Sequence, residues 1–184
     1  RLVKMIKEVP GIETVTLTTN GIRLEEELPG LLEAGIDGIN ISLDTRDRAR
    51  YRQITGADGL ETVESAIQAA CRSGIPVKVN AVSVDFDRAG FAGRDSGTEH
   101  LVPDWVSVAD LARILPVDVR FIEMMPIGYG KQYETINHET LFKEMQKRYP
   151  GMEPDGRRHG TGPAVYYQVP GFKGSLGLIS AMHG

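Results

Sequence analysis

Gly38-Ile39-Asn40-Ile41-Ser42-Leu43-Asp44 and Val77-Lys78-Val79-Asn80-Ala81 both alternate apolar with polar residues at a period of two. Successive side chains of a strand point to opposite faces, so Asn40, Ser42 and Asp44 share one face and Lys78 and Asn80 share one face. The opposite faces are wholly apolar: Ile39, Ile41 and Leu43 in the first stretch, Val77, Val79 and Ala81 in the second. Together they predict strands over residues 38–43 and 77–83. Upstream, residues 12–18 predict a strand rich in β-branched residues, with Thr16, Thr18 and Asn20 on one parity and Val15 and Leu17 on the other. Downstream, residues 119–123 predict a fourth strand, whose charges at both parities, Arg120 and Glu123, leave its inner face undecided.

Helical spacing fills the intervals. Leu2, Met5, Ile6 and Val9 precede a break at Pro10-Gly11, and Leu28, Leu31 and Leu32 mark a helix ending near Gly35. Pro29 is expected in the first turn of that helix, where a proline is tolerated. Val63, Ile67 and Ala70 predict a long helix closed by Gly74 in a left-handed cap. Ser107 is a candidate cap for a short helix through Leu111 and Ile114, and Leu141, Phe142 and Met145 mark one more. Strands alternating with helices imply parallel pairing through right-handed crossovers, hence a doubly wound sheet or a segment of a β/α barrel. Residues 163–169 and 172–180 then read as paired strands joined at Pro170-Gly171. The charged, glycine-dotted segment 85–105 reads as a surface insertion, either disordered or a lid.

Composition narrows the function. The chain has 184 residues with 41% hydrophobic, enough for one domain with a core, and 21 basic against 25 acidic residues leave a net charge of −4. No broad basic field is available for nucleic acid. No run approaches the roughly 20 apolar residues of a membrane span, and the amino end lacks a signal-peptide core, so a cytoplasmic protein without membrane or nucleic-acid partners is expected. Cys71 is the single cysteine, and neither a disulfide nor a self-sufficient cysteine cluster can be built from it; it reads as an apolar filler in a helix. His100, His138, His159 and His183 show no metal-ligand spacing, so no metal ligand is assigned. Arg157-Arg158-His159 reads as a solvated loop, and no nucleophile elbow, Walker or dinucleotide glycine motif is present. The chain starts at Arg1 and stops at Gly184 directly after an apolar run, which reads like a piece cut from something longer.

Parallel strands covered on both faces should be apolar throughout, so polar faces on three of these strands point to a ligand. Helices cover the outside of a barrel, which turns the polar faces inward. An inward Lys78 without a counter-charge costs several kcal/mol of desolvation, which a bound phosphate or carboxylate would offset. The alternatives are an internal ion pair of Lys78 with Asp44 or Glu123, a Schiff base at Lys78 in a lyase of the aldolase kind, or a pure binding module. Met125-Pro126 ends the fourth strand, and residues 126–130 form a loop at the mouth, where ligands of such folds bind.

Leu17-Thr18-Thr19-Asn20-Gly21, Asn40-Ile41-Ser42-Leu43-Asp44, Val77-Lys78-Val79-Asn80-Ala81 and Arg120-Phe121-Ile122-Glu123-Met124-Met125-Pro126-Ile127-Gly128 together closely resemble the molybdenum cofactor biosynthesis protein A family, the radical S-adenosylmethionine enzymes named GTP 3',8-cyclase. Gly162-Pro163-Ala164 with Tyr166-Tyr167, then Gly174 to Gly177 and Ile179-Ser180, resemble that family's run toward its second cluster motif. The resemblance implies a partial parallel β/α barrel of the radical S-adenosylmethionine core over residues 1–134, with four strands present. A carboxyl-terminal helix and β hairpin follow over 135–184, the start of the substrate and second-cluster region. It implies that the full-length parent uses S-adenosylmethionine and two 4Fe-4S clusters, takes electrons from a reductant, and converts GTP to 3',8-cyclo-7,8-dihydro-GTP through a 5'-deoxyadenosyl radical that abstracts hydrogen from the ribose.

By the same resemblance Thr18, Lys78 and Arg120 match positions that contact GTP, and Ser42 and Met125 match positions that contact S-adenosylmethionine. No catalytic residue is assigned. Neither family cysteine motif occurs in the chain, so no cofactor is expected on its residues alone and the fragment is expected to be inactive. The segment 85–105 is longer than the family's turn there. A homo-oligomeric parent is expected, and a fragment whose open strand edges favour self-association. A different radical enzyme on the same barrel, acting on a peptide or porphyrin, is the nearest alternative.

Overall fold

The computed structural model describes residues 1–86, 88–90, 103–125, 128, 136–160 and 162–180. Its framework is a seven-stranded sheet in the order β1-β2-β3-β4-β7-β6-β5. β1 (Thr16–Thr19), β2 (Gly38–Ser42), β3 (Val77–Val82) and β4 (Asp118–Ile122) pair in parallel, as the alternating pattern predicts. β7 (Leu176–Ile179) adds a fifth parallel strand beside β4. β6 (Val165–Gln168) lies antiparallel to β7, and the two-residue β5 (Glu153–Pro154) lies antiparallel to β6. The carboxyl-terminal hairpin thus extends the parallel sheet through its second arm.

The apolar parity of each strand forms the core. Ile41, Val79, Val119 and Leu176 are register partners across β2, β3, β4 and β7, and each is fully buried. They pack with apolar residues of α2 (Leu24–Glu33), α4 (Leu60–Arg72), α5 (Asp104–Ile114) and α6 (His138–Arg148). The short α1 (Leu2–Lys7) buries none of its residues.

Several local expectations are corrected. β1 begins at Thr16 and not at Ile12, because the Asp37 carboxylate takes the Val15 N–H at 2.6 Å and the parallel ladder starts one residue later, at Thr16 opposite Gly38. Pro29 sits inside α2 and not in its first turn. The helix starts earlier because Leu24 and Leu28 both anchor in the core, and Glu25, Glu26 and Glu27 in its first turn suit the positive end of the helix dipole. Ser107 does not cap α5: Pro103 holds that position, and the Ser107 hydroxyl donates back to the Asp104 carbonyl at 2.8 Å.

Helix α3 (Arg48–Thr55) has no apolar period to announce it, yet it is bounded cleanly. The Asp47 side chain accepts from the Arg50 N–H at the start, and Gly56 closes the end at φ +72°. Its Arg50 is fully buried, donating to Asp104 and lying over the Phe86 ring. Gly74 follows α4 at φ +81°, the left-handed turn predicted there. Most of segment 85–105 and of loop 126–130 lies outside the described residues.

Candidate functional site

Strand register turns the polar parity into two rows. Thr18, Asn40, Lys78 and Asp118 are successive partners across β1 to β4, and Ser42, Asn80, Arg120 and Gly177 are successive partners across β2, β3, β4 and β7. Arg120, whose face the sequence left open, therefore stands with Asn80 on the polar side. Its Nε donates to Asn80 Oδ1 at 2.8 Å and one terminal nitrogen donates to Asn40 Oδ1 at 2.9 Å, so two neutral amides aim the guanidinium. Thr18 is exposed and accepts from the Asn40 amide at 3.3 Å.

Lys78 is half-buried and donates to the main-chain carbonyl of His159. Its ammonium lies 5.8 Å from the centre of the Tyr166 ring, a cation over an aromatic face. Burial, and then the nearby Arg120 charge, push the Lys78 pKa below the ordinary lysine value, while Asp118 pulls it back up. Asp44 is occupied otherwise, accepting the Val82 N–H at 2.8 Å, and burial raises its carboxyl above the usual range.

The segment after β5 supplies residues that sequence reasoning missed. His159 does not lie in the solvated loop that the sequence suggests: only 10% of its side chain is exposed, against 62% for Arg157. Its ring stacks on Tyr166 with centroids 4.0 Å apart, its Nδ1 lies 2.8 Å from Asp118 Oδ2, and its Nε2 lies 3.0 Å from Asp155 Oδ2. Asp155 also accepts from Arg157 at 2.6 Å and from Ser175 at 2.7 Å, and these hydrogen bonds hold its carboxyl well below the usual carboxylate range. Gly177 leaves the room these groups need: a Cβ there would meet the Tyr166 ring at 3.0 Å and the Arg120 stem at 3.2 Å.

The structure thus brings Thr18, Lys78 and Arg120 to one face and places Ser42 on the same face, exposed beside Asn80. Met125 lies three residues beyond β4 and is 52% exposed. Chemically the face offers two cations, amide groups and hydroxyls above a half-buried aromatic stack, which suits a phosphorylated, ring-bearing ligand. Cys71 offers no thiolate: half-buried in α4, its thiol is pushed up to about 11 by burial. Among the described residues no group of three His, Cys, Asp or Glu side chains is placed to hold a metal ion, and no helix is long and apolar enough to cross a membrane.

Residues 1–86 match the radical SAM superfamily. The chain is 34% identical over 182 residues to a GTP 3',8-cyclase of Clostridium perfringens (strain SM101 / Type A), covering 98% of the chain and 52% of that protein. It is 39% identical over 184 residues to a GTP 3',8-cyclase of Gloeobacter violaceus, with 98% of the chain and 52% of the relative covered. Molybdenum cofactor biosynthesis protein 1 of Drosophila melanogaster is 37% identical over 187 residues, again 98% of the chain but 30% of the relative. The chain spans about half the length of these cyclases. Residues 1–86 are thus similar to the radical SAM superfamily, and the chain as a whole is similar to about half of a GTP 3',8-cyclase.

Proposed function

We propose that the protein carrying this chain is a radical S-adenosylmethionine enzyme that converts GTP to 3',8-cyclo-7,8-dihydro-GTP in molybdenum cofactor biosynthesis, and that the polar face of the sheet binds GTP. The observation that carries the reading is the pair Lys78 and Arg120 on one face of the sheet, each held by a neutral acceptor, a carbonyl or an amide, with the Lys78 pKa pushed down by burial first and by the Arg120 charge second. A polyphosphate relieves that like-charge burial. Lys78 acts as a point cation on phosphate oxygens, Arg120 presents its aimed fork to an oxygen pair, and Thr18 bonds the ribose or phosphate edge. Ser42 and Met125 would contact S-adenosylmethionine, which together with iron–sulfur clusters and a reductant belongs to the proposed enzyme. With its lone, half-buried Cys71 the chain does not by itself fit a cluster, and the roles proposed for its residues are binding ones. The division into a barrel part over 1–134 and a substrate region over 135–184, a homo-oligomeric state and a cytoplasmic location belong to the same proposal.

Reconstituting the full-length protein anaerobically with iron and sulfide, then following GTP loss and 5'-deoxyadenosine release together, tests it. Coupled appearance of the two supports the reading, and release of deoxyadenosine with any GTP left intact sinks it. The lowered Lys78 pKa favours one second reading, a Schiff-base lyase, since an amine with a depressed pKa is the better nucleophile. Borohydride reduction in the presence of carbonyl metabolites would leave a mass adduct on Lys78 only under that second reading.

A further inference from the structure

We propose that His159 is a positioning residue for Lys78: its imidazole, set between Asp118 and Asp155 and stacked on Tyr166, fixes the peptide whose carbonyl orients the Lys78 ammonium toward an anionic ligand. The inference rests on the reading above for the identity of the ligand, but not for the contact itself. His159 Nδ1 is hydrogen-bonded to Asp118 at 2.8 Å, and Nε2, which makes no hydrogen bond among the described residues, lies 3.0 Å from the Asp155 carboxylate, so the ring is anchored at one end and set against a charge at the other. Tyr166 closes its flat side at a centroid distance of 4.0 Å and a tilt of 15°. Asp155 is itself anchored by Arg157 and by the fully buried Ser175. A ring held this way fixes its own backbone, and the backbone oxygen is the acceptor for Lys78.

The next residue bears the same signature. Gly160 takes φ +98°, and a Cβ built on it would lie 3.2 Å from Lys78 Nζ. The loop therefore approaches the ammonium through backbone alone, with a glycine where a side chain would push the lysine aside. An ammonium carries three donors; one spent on the His159 carbonyl leaves two, pointing away from the loop. Lysine's four-carbon stem is otherwise free to wander, so a fixed acceptor preorganises the charge.

The test is made on the full-length protein by trace acylation of lysines, read by mass spectrometry as the rate at Lys78 relative to exposed Lys143 and Lys147 on α6. His159→Phe keeps a ring to stack on Tyr166 and removes both polar contacts. Releasing one hydrogen bond should speed Lys78 labelling about fivefold against the reference lysines. The same variant should weaken GTP binding about fivefold and leave guanosine binding unchanged, because only the phosphates reach the ammonium. Unchanged relative labelling in a folded variant overturns the proposal. Equal loss of GTP and guanosine, or tighter GTP binding, also overturns it, since the first is a general distortion and the second an inhibitory contact. If the wild-type protein binds neither nucleotide, the GTP reading fails while the labelling ratio still decides the role of His159. Should His159→Phe not fold, His159→Leu, which removes the polar contacts and leaves the Asp118 charge beside Lys78 in place, is judged by the same two readouts.

Discussion

On the helix-covered side of the sheet Ile41, Val79, Val119 and Leu176 are sealed from solvent, whereas on the other side Thr18 and Ser42 stay exposed and Asn40, Lys78 and Asn80 are half-buried. The same strands supply both sides, one residue apart. The apolar side acts through shape: its side chains fill volume and answer to cavities and overpacking. The polar side acts through directed contacts, Arg120 on two asparagines and Lys78 on a carbonyl, and answers to loss of a partner. Stability should therefore reside mainly on the first side and ligand recognition on the second, and substitutions can separate the two.

The largest effect is expected from Phe121→Ala. Phe121 is 1% exposed between register partners Ala81 and Leu178, so truncation leaves a cavity that two flanking strands cannot close. A loss of roughly 3–5 kcal/mol of unfolding free energy is expected, measured as a lower denaturant midpoint at unchanged slope. A loss under about 1 kcal/mol would mean that the apolar side tolerates voids, and the comparison would break.

Arg120→Lys probes the other side. A lysine keeps the charge but cannot reach Asn80 and Asn40 with a planar fork, so the aimed geometry is lost. GTP affinity should fall about tenfold while unfolding free energy changes by about 1 kcal/mol or less. The reverse ranking, a large stability loss with affinity intact, would make Arg120 a structural brace.

How much of this was written in the sequence follows the same division. β2 and β3 are legible because alternation is a local property, and the partnership of Thr18, Asn40 and Lys78 follows once β1, β2 and β3 pair in parallel. Helix α3 was illegible: Arg-Ala-Arg-Tyr-Arg-Gln-Ile-Thr carries no apolar stripe, and its fully buried residue is an arginine whose partner, Asp104, lies 54 positions away. Its caps, Asp47 and Gly56, were the available signal. His159 was missed for a related reason. It sits in irregular chain where no period applies, and its anchor Asp118 is 41 positions distant on a strand. The glycines beside it, Gly160 and Gly162, hinted at a close backbone approach. Arg120 could not be assigned a face from parity because Asp118 and Arg120 share one parity while Glu123 lies past the strand end.

Acid should wear away the polar side selectively. Arg157, Ser175 and His159 hold the Asp155 carboxyl well below its usual 3.8, so its native pKa lies under its unfolded one. The sign follows: the stabilisation is complete above the unfolded pKa and is lost as pH falls toward the native one, below about pH 4 to 5. Asp155→Asn should lower stability at pH 7 and flatten the acid limb of the unfolding profile. If the variant kept the wild-type acid slope, the loop carrying His159 would not depend on this carboxylate.

Asp44 is expected to show the smallest effect, of opposite sign. Burial raises its pKa above 3.8, offset in part by the Val82 N–H. A carboxyl whose native pKa is raised contributes nothing adverse while protonated in both states, and becomes destabilising as pH rises through the unfolded and then the native value. Asp44→Asn keeps an oxygen for Val82 and removes the buried charge. Asp44 lines a cavity of about 10 Å³ together with Ser83, whose buried hydroxyl has no hydrogen-bond partner among the described residues. The variant should therefore be slightly more stable than wild type at pH 7 and equal to it near pH 3, so the difference between the two unfolding profiles grows with pH. Asp155→Asn should give a pH 7 difference of the opposite sign. If both variants shifted in the same direction, the contrast between a carboxylate stabilised by partners and one burdened by burial would collapse.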